Sequence, residues 1–374
     1  MKKNFVILCF LTQLCFGQSK TITSGSVITP TGSAVPLQQL ADKSSDLINL
    51  VPSVNGLNLQ NYVTNFANNK LSLPPVVITI TADIAVLSNT IIQGCGFGST
   101  VIKLSGAATK GFVLSNDTCV IIRDLTIMGT YAAPNINGTT IINSMADLGD
   151  TTKMGNEIGI YITGSTQRII LQNLQIRNCS KTGVYIMQSG QLYSYLGSVT
   201  GENITVLNSY CGIIETNSGA YNYFSNFSAH TCLVGGYGLT SNMYFTLSKF
   251  NGNRVGFYAS KSPIGGGDSH TSISTSSFNH NILYSVAIDS TTTGWWFNNC
   301  QNFDAVMYLK SCRGFKWTDG RLEGNITLEG GGRNRIDHAS WNTTNVVIAT
   351  AGGSLKRKDC TNVAGNDIVD STFQ

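Results

Sequence analysis

The sequence predicts an all-β chain that folds as a right-handed parallel β-helix, a solenoid of stacked coils. The first observation is a phrase of glycine, an apolar residue and tyrosine that recurs with steps of 21 to 29 residues between Gly159 and Leu309. A repeat of about 20 to 50 residues is typical of solenoids. The second observation is that the units alternate β-branched or aromatic residues and contain no long helical period, so each coil should consist of short strands.

The same phrase predicts a column of side chains on one face. In Gly183-Val184-Tyr185-Ile186, strand alternation sends Val184 and Ile186 to one side and Tyr185 to the other. The aliphatic side chains should face the core, so the tyrosine should face outward and stack with its counterparts about 4.8 Å apart. Tyrosine fills six of the seven positions in a chain with 14 tyrosines. The column is Tyr161, Tyr185, Ile214, Tyr237, Tyr258, Tyr284 and Tyr308.

Composition excludes several classes of protein. Charged residues make up 12%, there are 39 glycines, and the formal net charge is +4. This composition suits turn-rich stacked strands and argues against disorder and coiled coil. The sequence shows no basic stripe that would indicate a nucleic-acid partner.

The N-terminus predicts export. Lys2 and Lys3 precede an apolar run from Phe5 to Phe16 and then Gly17-Gln18, the layout of a signal peptide at residues 1–17. The run is too short to span a membrane. We therefore expect a secreted, extracellular or cell-surface protein, or one on the virion surface if a phage encodes it.

The rest of the chain divides by pattern. Residues 18–56 read as a flexible arm, 57–330 as the β-helix, and 331–374 as an end coil and tail. Leu59, Tyr62, Val63 and Phe66 have helical spacing, so we expect a short helix at 58–67 that caps the first coil. Eight cysteines follow the leader without any C-x-x-C pair, which favours buried free thiols over disulfides and disfavours a zinc site.

One stretch resembles a known superfamily. Leu73-Pro74-Pro75 is followed by I-x-G-x-G at Ile92 to Gly96 and by Ser99-Thr100-Val101-Ile102. With later strand phrases such as Asp124-Leu125-Thr126-Ile127, these segments resemble the opening coils of the pectate-lyase-like β-helix superfamily, especially its phage tailspikes and polysaccharide depolymerases. The resemblance covers roughly residues 57 to 330 and implies a fold more than a reaction. Since a paired Asp-Asp, G-H-G and R-I-K are absent, no catalytic residue carries over.

Candidate catalytic residues come from the requirements of the chemistry. Hydrolysis of a polysaccharide needs two carboxylates, and elimination at a uronate needs a base and charge neutralisation. Glu215 follows the column position Ile214 and is a candidate acid, although alternation directs it inward unless the strand ends there. Asp268 and His270, in the loop after the Tyr258 strand, could supply an acid and a base, or the loop could be only a turn. Residues 144–157 lack alternation and should cross one face of the coil; they carry the weaker candidates Asp147, Asp150 and Glu157.

These observations predict a protein that engages a polysaccharide along the tyrosine column. The leading hypothesis is a depolymerase, either a lyase or a glycoside hydrolase. The alternatives are a non-catalytic carbohydrate-binding adhesin or phage receptor-binding protein, and a structural solenoid whose tyrosines only stabilise the coils. The resemblance implies a homotrimer for a tailspike and a monomer for a secreted enzyme. We expect no metal ligands, no nucleic acid and no membrane span; calcium would be a cofactor only for a lyase.

Overall fold

The computed structural model covers most of the chain. It describes residues 26–28, 34–36, 56–65, 70–138, 141–148, 150–188, 199–216, 221–239, 242–260, 271–289, 294–303, 305–342, 347–350, 352–362 and 371–373. Two units are present, Met1–Leu50 and Val51–Gln374. In the first unit Ser26–Ile28 pairs antiparallel with Ala34–Pro36. The expected signal peptide lies outside the described residues and stays a prediction.

The second unit is a parallel β-helix, which confirms the predicted fold class. One sheet of eleven strands holds the repeated tyrosine phrase, and we call it the tyrosine sheet. Its strands are Ile84–Ala85, Lys110–Ser115, Ile158–Gly164, Thr182–Gln188, Cys211–Thr216, Val234–Leu239, Val255–Ser260, Tyr284–Asp289, Val306–Lys310, Ile326–Glu329 and Val347–Thr350.

The remaining strands form a second sheet, which we call the bent sheet. Its strands are Lys70–Ser72, Val77–Ile80, Ile91–Gln93, Val101–Leu104, Thr118–Met128, Gln167–Arg177, Val199–Leu207, Asn222–His230, Met243–Thr246, Lys249–Phe250, Thr271–Ser274, Trp295–Asn302, Lys316–Leu322, Asn334–Asp337, Ser340–Trp341, Leu355–Lys358, Thr361–Asn362 and Ser371–Phe373. The strand Ser371–Phe373 pairs antiparallel with Leu355–Lys358. Asn334–Asp337 and Leu355–Lys358 pair in parallel, so the stacked coils continue beyond residue 330.

Left-handed residues bend the longer strands of this sheet. Asp124, Asn173, Asn203 and Asn226 have φ values of 59°, 50°, 53° and 52°. Asparagine and aspartate adopt this conformation more readily than other side chains. Their side chains also join coil to coil, because Asn173 Nδ2 donates to Asp124 Oδ1 at 2.9 Å and Asn203 Nδ2 to Asn173 Oδ1 at 2.8 Å. This ladder fixes the corner between two runs of the bent sheet.

The interior is filled by aligned apolar columns. Phe224 stacks on Phe245 with ring centroids 5.2 Å apart, and Phe297 stacks on Trp317 at 5.5 Å. Gly201 precedes Phe224 in this column, and a Cβ there would lie 2.3 Å from the Phe224 ring. In the tyrosine sheet, the recurring glycine has a similar cause. A Cβ on Gly212 would lie 2.2 Å from the carbonyl oxygen of Gly235 in the next coil.

A helix at Gly56–Asn65 precedes the first coil. Leu59 and Val63 are fully buried, and Gln60 bonds both backbone groups of Ala85, at 2.7 Å to its nitrogen and 3.0 Å to its oxygen. These are contacts that a cap requires, although the capping role itself stays a prediction. Among the residues described, no helix is long and apolar enough to cross a membrane. The eight cysteines after residue 17 are free; six of them are buried, as expected, whereas Cys95 and Cys119 are exposed.

Candidate functional site

The tyrosine column is in register for most of its predicted length. Tyr161 pairs with Tyr185, Tyr185 with Ile214, Ile214 with Tyr237, and Tyr237 with Tyr258. The next position is then Ala287, followed by Tyr308. The assignment of Tyr284 to the column is therefore wrong, because Tyr284 begins its strand three residues before Ala287. Its ring still packs against that of Tyr308, with centroids 5.5 Å apart.

A segment of the chain covers the middle of this column. We call residues 130–157 the cover segment; all but 139, 140 and 149 are described. It includes a short helix at Met145–Leu148 and a 3-10 turn at Thr151–Lys153. Ile142, Met145 and Leu148 are buried in one cluster with Tyr210, Ile214, Tyr237 and Tyr258. The expected excursion over one face is confirmed, and the face that it covers is the tyrosine face.

Polar anchors fix the cover segment at both ends and in its middle. Glu157 Oε1 accepts hydrogen bonds from the nitrogen and hydroxyl of Thr130, at 2.9 and 2.7 Å, and so joins the two ends. The buried side chain of Arg254 donates to the carbonyl of Ile142, to that of Ile136 at 2.9 Å, and to Asn143 Oδ1 at 3.0 Å. One arginine of the coil thus binds three groups of the cover.

The cover overturns the expectation that the tyrosines form an exposed platform. Tyr237 and Tyr258 are each 2% exposed, and burial raises the pKa of both phenols. Tyr161 and Tyr185 lie near one border of the cover and are half-buried, with lysine ammonium groups 5.7 and 5.0 Å from their ring centroids. Tyr308, also half-buried, donates to Glu329, and this bond raises its pKa to about 12.

Glu215 lies inside the coil. It pairs with Ile186 and Gly238 in the inward column and is 0% exposed. Its Oε1 accepts a hydrogen bond of 2.8 Å from Asn222 Nδ2. A carboxylate in this position has no access to a polymer on the outer surface, so the strand-end surface position is wrong and the inward alternation is right.

The other candidate acids separate into two groups. Asp268 and His270 lie outside the described residues, so their catalytic role stays a prediction. Asp147, Asp150 and Glu157 hold the cover segment together: Asp147 forms an ion pair with Lys153 at 2.5 Å, and Asp150 accepts from Thr152. No cluster of metal-ligating side chains occurs among the described residues.

An exposed aromatic site lies instead on the bent sheet. Tyr223 and Tyr244 pair in adjacent coils, and their rings stack at 5.0 Å with planes 22° apart. Tyr221 packs against Tyr244 at 5.7 Å. Tyr223 is 44% exposed, which is far more than any tyrosine beneath the cover. We call this site the aromatic groove, and it has a volume of about 330 Å³.

Polar side chains surround the stacked rings. The groove is lined by, among others, Thr200, Glu202, Ser225, Thr246, Ser272 and Ser274. Burial and the neighbouring phenols raise the pKa of Tyr244, so it stays protonated and can both donate and accept. Glu202 is exposed and accepts a 2.9 Å hydrogen bond from Gln172 Nε2. Flat rings rimmed by hydroxyls and one carboxylate suit the apolar faces and hydroxyl groups of a sugar chain.

Sequence reasoning missed this groove, although a signal was present. Tyr223 and Tyr244 each stand between inward residues and precede Phe224 and Phe245, so alternation places them outside. Their spacing of 21 residues falls within the same repeat as the tyrosine column. The repeated glycine marks only the tyrosine sheet, and the outward column that contains Tyr223 and Tyr244 has no glycine to mark it.

The fold has known counterparts. A thermostable GH87 α-1,3-glucanase from Streptomyces thermodiastaticus is 12% identical, with a TM-score of 0.52 over 82% of this chain and 65% of that one. Tailspike protein 3 of bacteriophage CBA120 is 10% identical, with a TM-score of 0.48 over 98% of this chain and 70% of that one. An exopolygalacturonase from Thermotoga maritima is 9% identical, with a TM-score of 0.46 over 86% and 91%.

The likeness to the GH87 glucanase, with a TM-score above 0.5, shows the fold alone, which is a parallel β-helix as the sequence predicts. No protein-family model and no curated protein sequence matches the chain.

Proposed function

We propose that this protein binds a polysaccharide along the outer face of the bent sheet, with the aromatic groove as the central subsite. The observation that carries the proposal is the stacked pair of the exposed Tyr223 and the half-buried Tyr244, in a groove whose lining also includes serine, threonine and glutamate side chains. A linear polymer that runs parallel to the solenoid axis would meet one outward side chain per coil, about every 4.8 Å. Several weak contacts would then add along the polymer.

We further propose that the protein cleaves this polymer. The described residues give the groove a single carboxylate, Glu202, whereas hydrolysis needs two and elimination needs a base with charge neutralisation. Asp268 and His270 precede the groove residue Ser272 by four and two positions in the chain. We therefore keep them as the proposed acid and base of a depolymerase. A GH87 glucanase of similar fold acts on a polysaccharide, which is compatible with this assignment.

The same observation favours a second function. A groove with stacked rings and one described carboxylate is sufficient for a non-catalytic adhesin or receptor-binding protein. Secretion or virion display, the monomeric or trimeric state, and a calcium requirement in the case of a lyase remain proposals. The mass in solution would separate a secreted monomer from a tailspike trimer.

The experiment combines binding and turnover on a panel of neutral and acidic polysaccharides. Tyr223→Ala should weaken binding by about fivefold, since loss of an aromatic stacking contact typically costs about 1 kcal/mol. Ile170→Ala is the matched control, because Ile170 is exposed in the same outward column two coils earlier and has no ring. If Tyr223→Ala binds every polymer as the unmodified chain does, the groove is not the site.

Turnover is read from new reducing ends and from unsaturated products in the ultraviolet. Asp268→Asn and His270→Gln should each abolish turnover and preserve binding if the loop supplies the acid and base. Binding without any product from the unmodified chain would support the adhesin instead.

A further inference from the structure

The outward column that contains the aromatic groove continues towards the C-terminal coils. Tyr244 pairs with Ser272, and Ser272 with Trp296, which is 49% exposed. Trp296 pairs with Lys316 in the next coil. The following two positions are Arg335 and Lys356, paired in register. We call Lys316, Arg335 and Lys356 the basic stripe; all three are exposed.

The basic stripe lies in the most positive part of the chain. Residues 310–358 contain nine lysines and arginines against four acidic residues, a net charge of +5. The whole chain has a net charge of only +4, so the remainder is slightly negative. The basic residues are 19 and 21 positions apart in sequence, and only the stacking of coils makes them neighbours.

This arrangement has an electrostatic cost. Like charges directly opposite each other in neighbouring strands are destabilising. Arg335 is partly neutralised, because its Nε lies 2.5 Å from Asp337 Oδ1. Lys316 and Lys356 have no acidic partner within ion-pair distance among the described residues. Glu202 lies five coils before Lys316, about 24 Å away, which is beyond the screening length of about 8 Å at physiological salt.

We propose that the polysaccharide in the aromatic groove is anionic, and that the basic stripe holds its carboxylate, sulfate or phosphate groups. This inference rests on the proposed function, since it extends the same polymer along the same column. The stacked rings would bind sugar faces, and the polymer would then pass Trp296 to reach the stripe. The ammonium groups of Lys316 and Lys356 would form charge-assisted contacts with its anionic groups.

Single-stranded nucleic acid is the alternative ligand, because its bases could stack on the aromatic rings and its phosphates could bind the basic stripe. Proteins that bind it usually combine stacking rings with a basic groove that follows the phosphates along the whole strand. Here the cations follow the rings in later coils, and the carboxylate of Glu202 lines the groove itself. A nucleic-acid strand carries a phosphate at every nucleotide, so its phosphates would be repelled by that carboxylate. A polysaccharide with hydroxyls in the groove and charges further along fits the arrangement better.

The test compares two double variants with the same change in charge. Lys316→Gln with Lys356→Gln removes the unpaired cations of the stripe, and Lys103→Gln with Lys249→Gln removes two exposed lysines elsewhere on the coil. The probes are a polyuronate, a sulfated glycan, a neutral glucan and a single-stranded oligonucleotide. The stripe variant should lose about tenfold in affinity for the anionic glycans, as expected for two exposed ionic contacts. The control variant should bind like the unmodified chain, and both should keep its unfolding midpoint.

The outcomes test glycan binding in the aromatic groove separately from binding of anionic groups by the basic stripe. Tyr223→Ala should weaken the binding of every glycan, whereas the stripe variant should leave any neutral glucan affinity unchanged. Equal affinity of the stripe variant and the control for polyuronate and sulfated glycan would overturn the anionic inference and leave the groove intact. Tighter binding of the oligonucleotide than of any glycan, lost in the stripe variant, would replace the polysaccharide by nucleic acid. Preference for polyuronate or for the sulfated glycan would identify which anion the stripe holds.

Discussion

Truncation of a tyrosine beneath the cover should cost far more stability than truncation of one in the groove. Tyr237 is 2% exposed, and its ring centroid lies 4.9 Å from that of Tyr258. Replacement of a buried large aromatic residue by alanine typically costs about 3–5 kcal/mol, part of which is the aromatic pair itself at about 0.5–1.5 kcal/mol. Tyr223 is 44% exposed, and an exposed cross-strand pair is worth only about 0.2–1 kcal/mol.

The assay is the free energy of unfolding in denaturant for Tyr237→Ala and Tyr223→Ala, followed by glycan binding for both. Tyr237→Ala should lose about 3 kcal/mol or more and retain glycan binding under conditions in which it stays folded. Tyr223→Ala should lose about 1 kcal/mol at most and weaken glycan binding. Tyr237→Phe is the control for ring packing, because it keeps the ring in the cluster and removes only the hydroxyl.

Two results would refute this reasoning. A loss of about 1 kcal/mol for Tyr237→Ala would mean that the cover does not pack on the column, as for an exposed ladder. A loss of glycan binding in Tyr237→Phe with unchanged stability would mean that the phenol meets the polymer directly. The second outcome would return the binding site to the tyrosine sheet.

Three further predictions follow from the structure. Arg254→Ala should weaken the attachment of the cover by about 2–5 kcal/mol, because three acceptors lose a charged donor; faster amide hydrogen exchange at residues 141–148, but not in Lys249→Ala, would show it. Burial lowers the pKa of His230 below its ordinary value near 6.5. The unfolded chain therefore takes up the proton first, and stability should be full above about pH 6.5 and fall below it, with a smaller slope in His230→Gln. A thiol reagent should label Cys95 and Cys119 quickly and the six buried cysteines only after unfolding, as read by intact mass.

The fold class was predictable because a solenoid repeats the same local problem in every coil. Gly212 and its counterparts recur where a Cβ would collide with the backbone of the next coil, so the repeat reports the stacking directly. The predicted register is wrong at one position, where this glycine is missing. The coil after Tyr258 has Ser285 where the phrase usually has glycine, so the sequence predicts Tyr284 as the column residue although Ala287 occupies that place.

The candidate site was less predictable, because alternation separates inside from outside and says nothing about what covers the outside. Val184 and Tyr185 were assigned to the correct sides. The burial of Tyr237 and Tyr258 depends on residues 142–148, about a hundred residues earlier, whose own pattern contains no repeat. Nor could the sequence show that Lys316, Arg335 and Lys356 adjoin, because their contact exists only once the coils are stacked.

The fold alone does not determine which outer face carries the binding site, because the cover segment buries part of one face. A coil of parallel strands has several outer faces, and any of them can carry a site. In this chain the middle of the tyrosine face is an internal packing surface, joined to the cover by Arg254 and by the cluster around Ile142. A polymer could reach Tyr237 only if those contacts broke. The outward rings and cations of the bent sheet are accessible without any such rearrangement. The binding site is therefore expected on that face.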